Sequence, residues 1–144
     1  MLPVLLVSCY ELGHQPVAVA SAAAFLERAG YAPALLDLSV ENPDPETLSR
    51  ARLVAISAPM HTALRLGVRF ARRIRKDLPA AHVCFFGLYA TLNAEHLLRE
   101  LADSIVGGEF EEPLACLADA LAAGAPLEEV PGVRLRERPV RPHL

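Results

Sequence analysis

Residues 3–8 read Pro3-Val4-Leu5-Leu6-Val7-Ser8, and residues 53–57 read Leu53-Val54-Ala55-Ile56-Ser57. Both runs are short, continuously apolar and built from Val, Ile, Leu and Ala. They do not alternate as a half-exposed strand does, so each reads as a strand buried on both faces. Pro33 to Leu38, His82 to Phe86 and Ser104 to Val106 have the same character. Longer stretches with helical patterning separate them: Val17 to Ala29, Pro45 to Arg50, Thr62 to Lys76, Asn93 to Ala102 and Glu112 to Ala122. Strand and helix in alternation predict repeated βαβ units. With every crossover right-handed, the most economical fold is a doubly wound, Rossmann-like α/β domain. Its sheet is expected to be five-stranded and parallel, in the flavodoxin-like order 2-1-3-4-5, with helices on both faces.

Composition agrees. A chain of 144 residues can bury one well-packed core, and with 53% apolar residues and no Trp that core must be aliphatic. The formal charge of -3 offers no electrostatic reason to expect nucleic acid. The three cysteines, Cys9, Cys84 and Cys116, are odd in number and widely spaced, which suggests neither a disulfide framework nor a Cys-based metal site. The start, Met1-Leu2-Pro3-Val4, has no basic region, and its apolar run is too short for a signal peptide or membrane span. A cytoplasmic location without a membrane partner is therefore expected.

Residues 1–123 read as the folded domain. From Gly124 onward Pro126, Pro131, Pro139 and Pro142 interrupt a stretch that also holds Arg134, Arg136, Arg138 and Arg141, so residues 124–144 read as a linker or tail. Between Val17 and Ala29 only Ser21, Glu27 and Arg28 are polar, which suits either small surface alanines or contact with another domain or a second copy. The stretch Thr62 to Lys76 instead carries Arg65, Arg69, Arg72, Arg73 and Lys76, a pattern expected of a solvated face.

In the expected strand order the chain leaves strands 1 and 3 in opposite directions, which opens a crevice beyond their carboxyl ends. Residues 8–16, 57–62 and 87–91 should meet there. The first, Ser8-Cys9-Tyr10-Glu11-Leu12-Gly13-His14-Gln15-Pro16, is rich in functional side chains, and His14 could donate a hydrogen bond or bind a metal. Glu11 and His14 could equally cap the helix that follows. The second, Ser57-Ala58-Pro59-Met60-His61, brings a hydroxyl, a thioether and an imidazole beside it. Gly87-Leu88-Tyr89 and Gly107-Gly108-Glu109 follow strands 4 and 5, each with a glycine that turn geometry alone could require.

Several chemistries are excluded. No Gly-x-Gly-x-x-Gly or Gly-x-x-x-x-Gly-Lys follows the first strand, so the dinucleotide fingerprint and the P-loop are both missing. No acidic pair ends strand 1, where a response-regulator receiver would need one. Ser57 lacks the Gly-x-Ser-x-Gly elbow that exposes a hydrolase nucleophile.

Together, Tyr10 to Pro16, Ala58 to Thr62, Phe86 to Ala90 and Val106 to Glu111, each at a strand end, resemble the cobalamin-binding domain found at the amino end of many radical S-adenosylmethionine proteins. The resemblance runs from Val4 to about Leu121. It implies a domain that grips the corrin between the sheet edge and a catalytic domain, with the nucleotide tail passing the strand 4 glycine, matched here by Gly87. Ser57 matches the strand 3 position whose hydroxyl faces the cofactor. The implied contacts are Tyr10, Glu11, Leu12, Gly13, His14, Gln15, Ser57, Pro59, Met60, His61, Gly87, Leu88, Tyr89, Gly108 and Glu109.

The sequence departs from the wider family in two places. Mutase-type domains carry Asp-x-His-x-x-Gly after strand 1, and this chain does not, which leaves His14 and His61 open as axial ligands to cobalt. A radical cluster needs Cys-x-x-x-Cys-x-x-Cys, which the chain also lacks, so it is expected not to be catalytic by itself. The first reading is therefore a cobalamin-binding domain that serves a radical SAM, methyltransferase-type catalytic domain or protein, in which cobalt does the chemistry. The alternatives are a cofactor-free interaction domain of the same fold and a flavin or nucleotide binder.

Overall fold

A computed structural model describes residues 1–10 and 16–136. The strands are β1 (Val4–Ser8), β2 (Ala34–Asp37), β3 (Leu53–Ser57), β4 (His82–Phe86), β5 (Ser104–Val106) and β6 (Val133–Leu135). The helices are α1 (Val17–Arg28), α2 (Pro45–Arg50), α3 (His61–Asp77), α4 (Leu88–Leu92), α5 (Ala94–Glu100) and α6 (Glu111–Ala123). The sheet order is β2-β1-β3-β4-β5-β6, and the first five strands are parallel.

The five-stranded sheet expected from the sequence has a sixth strand. β6 pairs antiparallel with β5, Ser104 opposite Leu135 and Val106 opposite Val133. Three residues after Pro131-Gly132 are too few to show a strand period, and their pairing depends on the otherwise open edge of β5. A second difference lies after β4, where residues 88–92, expected as a loop, form the short helix α4.

Alternation along the strands divides the core in two. Leu5, Val7, Val54, Ile56, Val83 and Phe85 face α3 and α5, whereas Val4, Leu6, Ala55, Cys84 and Phe86 face α1 and α6. α3 lies close to the sheet because a Cβ at Gly67 would stand only 2.9 Å from Ile56 Cγ2. On the other side Ala22 and Ala23 are buried with Leu114, Leu117 and Ala118, so the alanines of α1 serve close helix packing there, while Val17 stays 70% exposed. Ser21 Oγ donates to Glu111 Oε1 at 3.0 Å and ties the two helices together. α2 starts where Asp44 accepts from the Thr47 amide at 3.2 Å, ahead of Pro45 in the first turn. Among the described residues no helix is long and apolar enough to cross a membrane.

Candidate functional site

Parallel strands place the carboxyl ends of β1, β3, β4 and β5 along one edge. Val7 lies opposite Ile56, Ser57 opposite Phe86 and Phe86 opposite Val106. Main-chain hydrogen bonds extend this pairing past the strands. The Ala58 amide donates to Phe86 O at 2.8 Å, the Tyr89 amide to Ala58 O at 3.0 Å and the Gly87 amide to Val106 O at 3.3 Å. The β3, β4 and β5 turns are thus joined into one platform, which fixes the positions of the side chains it carries.

Gly87 has φ 107 and ψ 177, and a Cβ there would stand 3.1 Å from Ala58 O. The turn itself therefore requires glycine before any ligand is considered. Gly108, at φ 62, has nothing within 4 Å of the place a Cβ would occupy, so its surroundings are open. Gly107, which the sequence reading did not select, is glycine for a packing reason: a Cβ there would strike Thr91 Oγ1 on α4.

Ser57 is 2% exposed at the end of β3, and its Oγ has no hydrogen-bond partner among the described residues. Every other buried serine position in the sheet lies at a strand end too, but Ser104 Oγ is engaged by His82 Nε2 at 2.8 Å. A hydroxyl buried without a partner costs free energy, so Ser57 Oγ is a hydrogen-bonding group at this edge that the described residues leave unanswered. Cys9, beside it in β1's extension, is a different case. Burial, and then the Asp37 carboxylate, push its thiol up from 9.0 to about 12, so it stays a neutral core group.

Of the expected contact residues, the structure places Tyr10, Ser57, Pro59, Met60, His61, Gly87, Leu88, Tyr89, Gly108 and Glu109 at or just beyond the carboxyl ends of β1, β3, β4 and β5. Glu11, Leu12, Gly13, His14 and Gln15 lie outside the described residues. His61 is exposed at the start of α3 and meets Tyr89 edge-on, with ring centroids 6.3 Å apart. Leu88 and Leu92 are 62% and 67% exposed and lie one turn apart on one face of α4. Leu92 was not among the expected contacts, and its exposure follows from α4, which residues 87–91 do not announce. Among the described residues no group of three or more His, Cys, Asp or Glu is placed to hold a metal ion. Two recesses lie elsewhere, between β2 and α2, and contain none of the expected contact residues.

The profile of the B12 binding domain family matches residues 3–118, all six strands except β6 included. The chain belongs to the B12 binding domain family. Among solved structures this B12 binding domain is similar to TsrM from Kitasatospora setae, a radical S-adenosylmethionine methyltransferase seen with cobalamin and a 4Fe-4S cluster bound. The TM-score is 0.76 at 22% identity, over 91% of this chain and 26% of that one. TsrM with tryptophan substrate and the SAM analog aza-SAM bound gives 0.72 at 23% identity, over 91% and 28%. The chain thus spans about a quarter of the length of these structures. A flavodoxin-like domain from Synechococcus sp gives 0.56 at 16% identity, over 84% of this chain and 94% of that one. These likenesses show a shared doubly wound fold. No curated protein matches the chain.

Proposed function

We propose that this B12 binding domain holds cobalamin across the carboxyl edge of the sheet and presents it to a radical SAM, methyltransferase-type catalytic domain. The observation that carries the reading is the buried Ser57 hydroxyl, unpartnered among the described residues at the one edge where four loops converge. The group fits this edge: Gly108 leaves open space beside it, and Leu88 and Met60 offer apolar surface for the flat ring. In this reading Tyr10 to Gln15, Ser57, Pro59 to His61, Gly87 to Tyr89, Gly108 and Glu109 contact the cofactor, and His14 or His61 is the candidate axial ligand. Bound cobalamin would supply a cobalt centre able to carry a methyl group. The chain's own part is to orient the corrin, satisfy its polar edge and shield one face from water. In the same reading residues 1–123 are the binding unit and residues 124–144 the connecting segment, of which Val133–Leu135 pairs with β5.

The test is titration of the purified full chain with hydroxocobalamin, followed by gel filtration and visible spectroscopy, with flavin mononucleotide in parallel. Co-elution of corrin absorbance with protein, lost in excess free cobalamin competition by a labelled analogue, supports the reading. Retention of flavin in place of corrin, or of neither by folded protein, overturns it.

A further inference from the structure

α3 holds six of the chain's fourteen Lys and Arg residues and one of its seventeen Asp and Glu residues. The rest of the chain is therefore strongly acidic, and the positive charge is concentrated on one element. Arg65, Arg69, Arg72 and Lys76 are exposed and fall at i, i+4, i+7 and i+11, which draws a straight line roughly 16 Å long at the helical rise. It lies opposite the buried face made by Gly67, Phe70 and Ile74.

Among the described residues, these four are the Lys and Arg side chains without a partner. Of the others, five are ion-paired, two donate to main-chain carbonyls and one lies over the Phe25 ring. Pairing is thus the rule on this surface, and all the exceptions stand in one row. Like charges at i and i+4 repel one another along a helix, so the row opposes α3 in the isolated chain.

We propose that the Arg65–Arg69–Arg72–Lys76 row is a docking surface for an acidic helical segment of a partner protein, whose carboxylates repeat with the same spacing. Charge complementarity selects this occupant. A nucleic acid would have to lie against a surface whose remaining charge is net negative, and its phosphates extend well beyond one row. A lipid surface would be held by charge alone, because the apolar face of α3 is buried against the sheet and cannot insert. The inference does not rest on cofactor binding.

The full chain is titrated with an alanine-based helical peptide bearing glutamates at i, i+4, i+7 and i+11, and with an isomer whose glutamates are clustered at one end. Fluorescence anisotropy reads the affinity. The matched peptide should bind at least about tenfold more tightly than the clustered one, with binding that weakens as salt rises. The combined change Arg65→Gln, Arg69→Gln, Arg72→Gln and Lys76→Gln should abolish the preference. A control removing the same charge through Arg28→Gln, Arg50→Gln, Arg99→Gln and Arg134→Gln should retain it, with circular dichroism showing both variants folded. No measurable peptide binding, equal affinity for the two isomers, or tighter binding of duplex DNA or phosphatidylserine vesicles would overturn the proposal.

Discussion

The carbonyl oxygen of Ala58 stands 3.1 Å from the position a Cβ on Gly87 would occupy, and the same oxygen accepts the Tyr89 amide at 3.0 Å. The β3 and β4 turns are therefore packed backbone against backbone at the edge where the cofactor is proposed to lie. Any side chain at residue 87 must both adopt φ 107 and displace that carbonyl.

Gly87→Ala should accordingly destabilise the domain without any ligand present, by about 1–3 kcal/mol. Urea unfolding of the cofactor-free chain measures it. An unchanged midpoint would show that the turn tolerates a side chain, and would return Gly87 to the role of a ligand-channel residue.

Ser57→Ala separates structure from binding more cleanly. Removing a buried hydroxyl that has no partner among the described residues should leave the stability of the cofactor-free chain unchanged or raise it by about 1 kcal/mol. Cobalamin affinity should meanwhile fall by roughly two- to tenfold, the worth of one neutral hydrogen bond. A destabilised variant with wild-type affinity would assign Ser57 to the core alone.

Burial pushes the thiols of Cys9 and Cys84 from 9.0 to about 12, with Asp37 adding to the first and Asp103 to the second. Iodoacetamide at pH 8 should therefore label Cys116 in the native domain and reach the other two only on unfolding. Because both folded pKa values lie above the unfolded one, the native state keeps protons that the unfolded chain releases. The thiols' contribution to stability is complete below pH 9 and should decline as pH rises toward 12. Thermal midpoints across that window should fall less steeply in Cys9→Ala/Cys84→Ala protein, leaving the slope due to Tyr31, which burial and the Asp119 hydrogen bond raise from 10.0 to about 12.

His82 begins β4 at the opposite, amino edge of the sheet. Burial lowers its pKa below 6.5, Asp103 acts against this, and Arg75, ion-paired to Asp103 at 2.7 Å but not aligned for a hydrogen bond, adds to the lowering. The folded state then takes up a proton less readily than the unfolded chain, so stability should fall as pH drops through 6.5. Urea midpoints measured from pH 7.5 to pH 5 should decline in the wild type and stay flatter in His82→Gln, roughly in proportion to the proton no longer at stake. Identical slopes in both proteins would remove His82 as the titrating group.

What the sequence determined by itself is the frame. Buried parallel strands must be apolar on both faces, so runs such as Leu53 to Ser57 and His82 to Phe86 carry their own signature, and β3, β4 and β5 have the bounds that the residues announce. The right-handed crossover then orders the parallel strands and brings the four loops to one edge. Tertiary structure decided what depends on a neighbour. β6 exists because β5 offers an open edge, α4 because the β4 turn is held by Ala58, and Gly107 because Thr91 leans on it. Ser57 shows the division within one residue: its place at the end of β3 is legible in the sequence, but a hydroxyl becomes an unanswered hydrogen-bonding group only when the packed sheet excludes water from it.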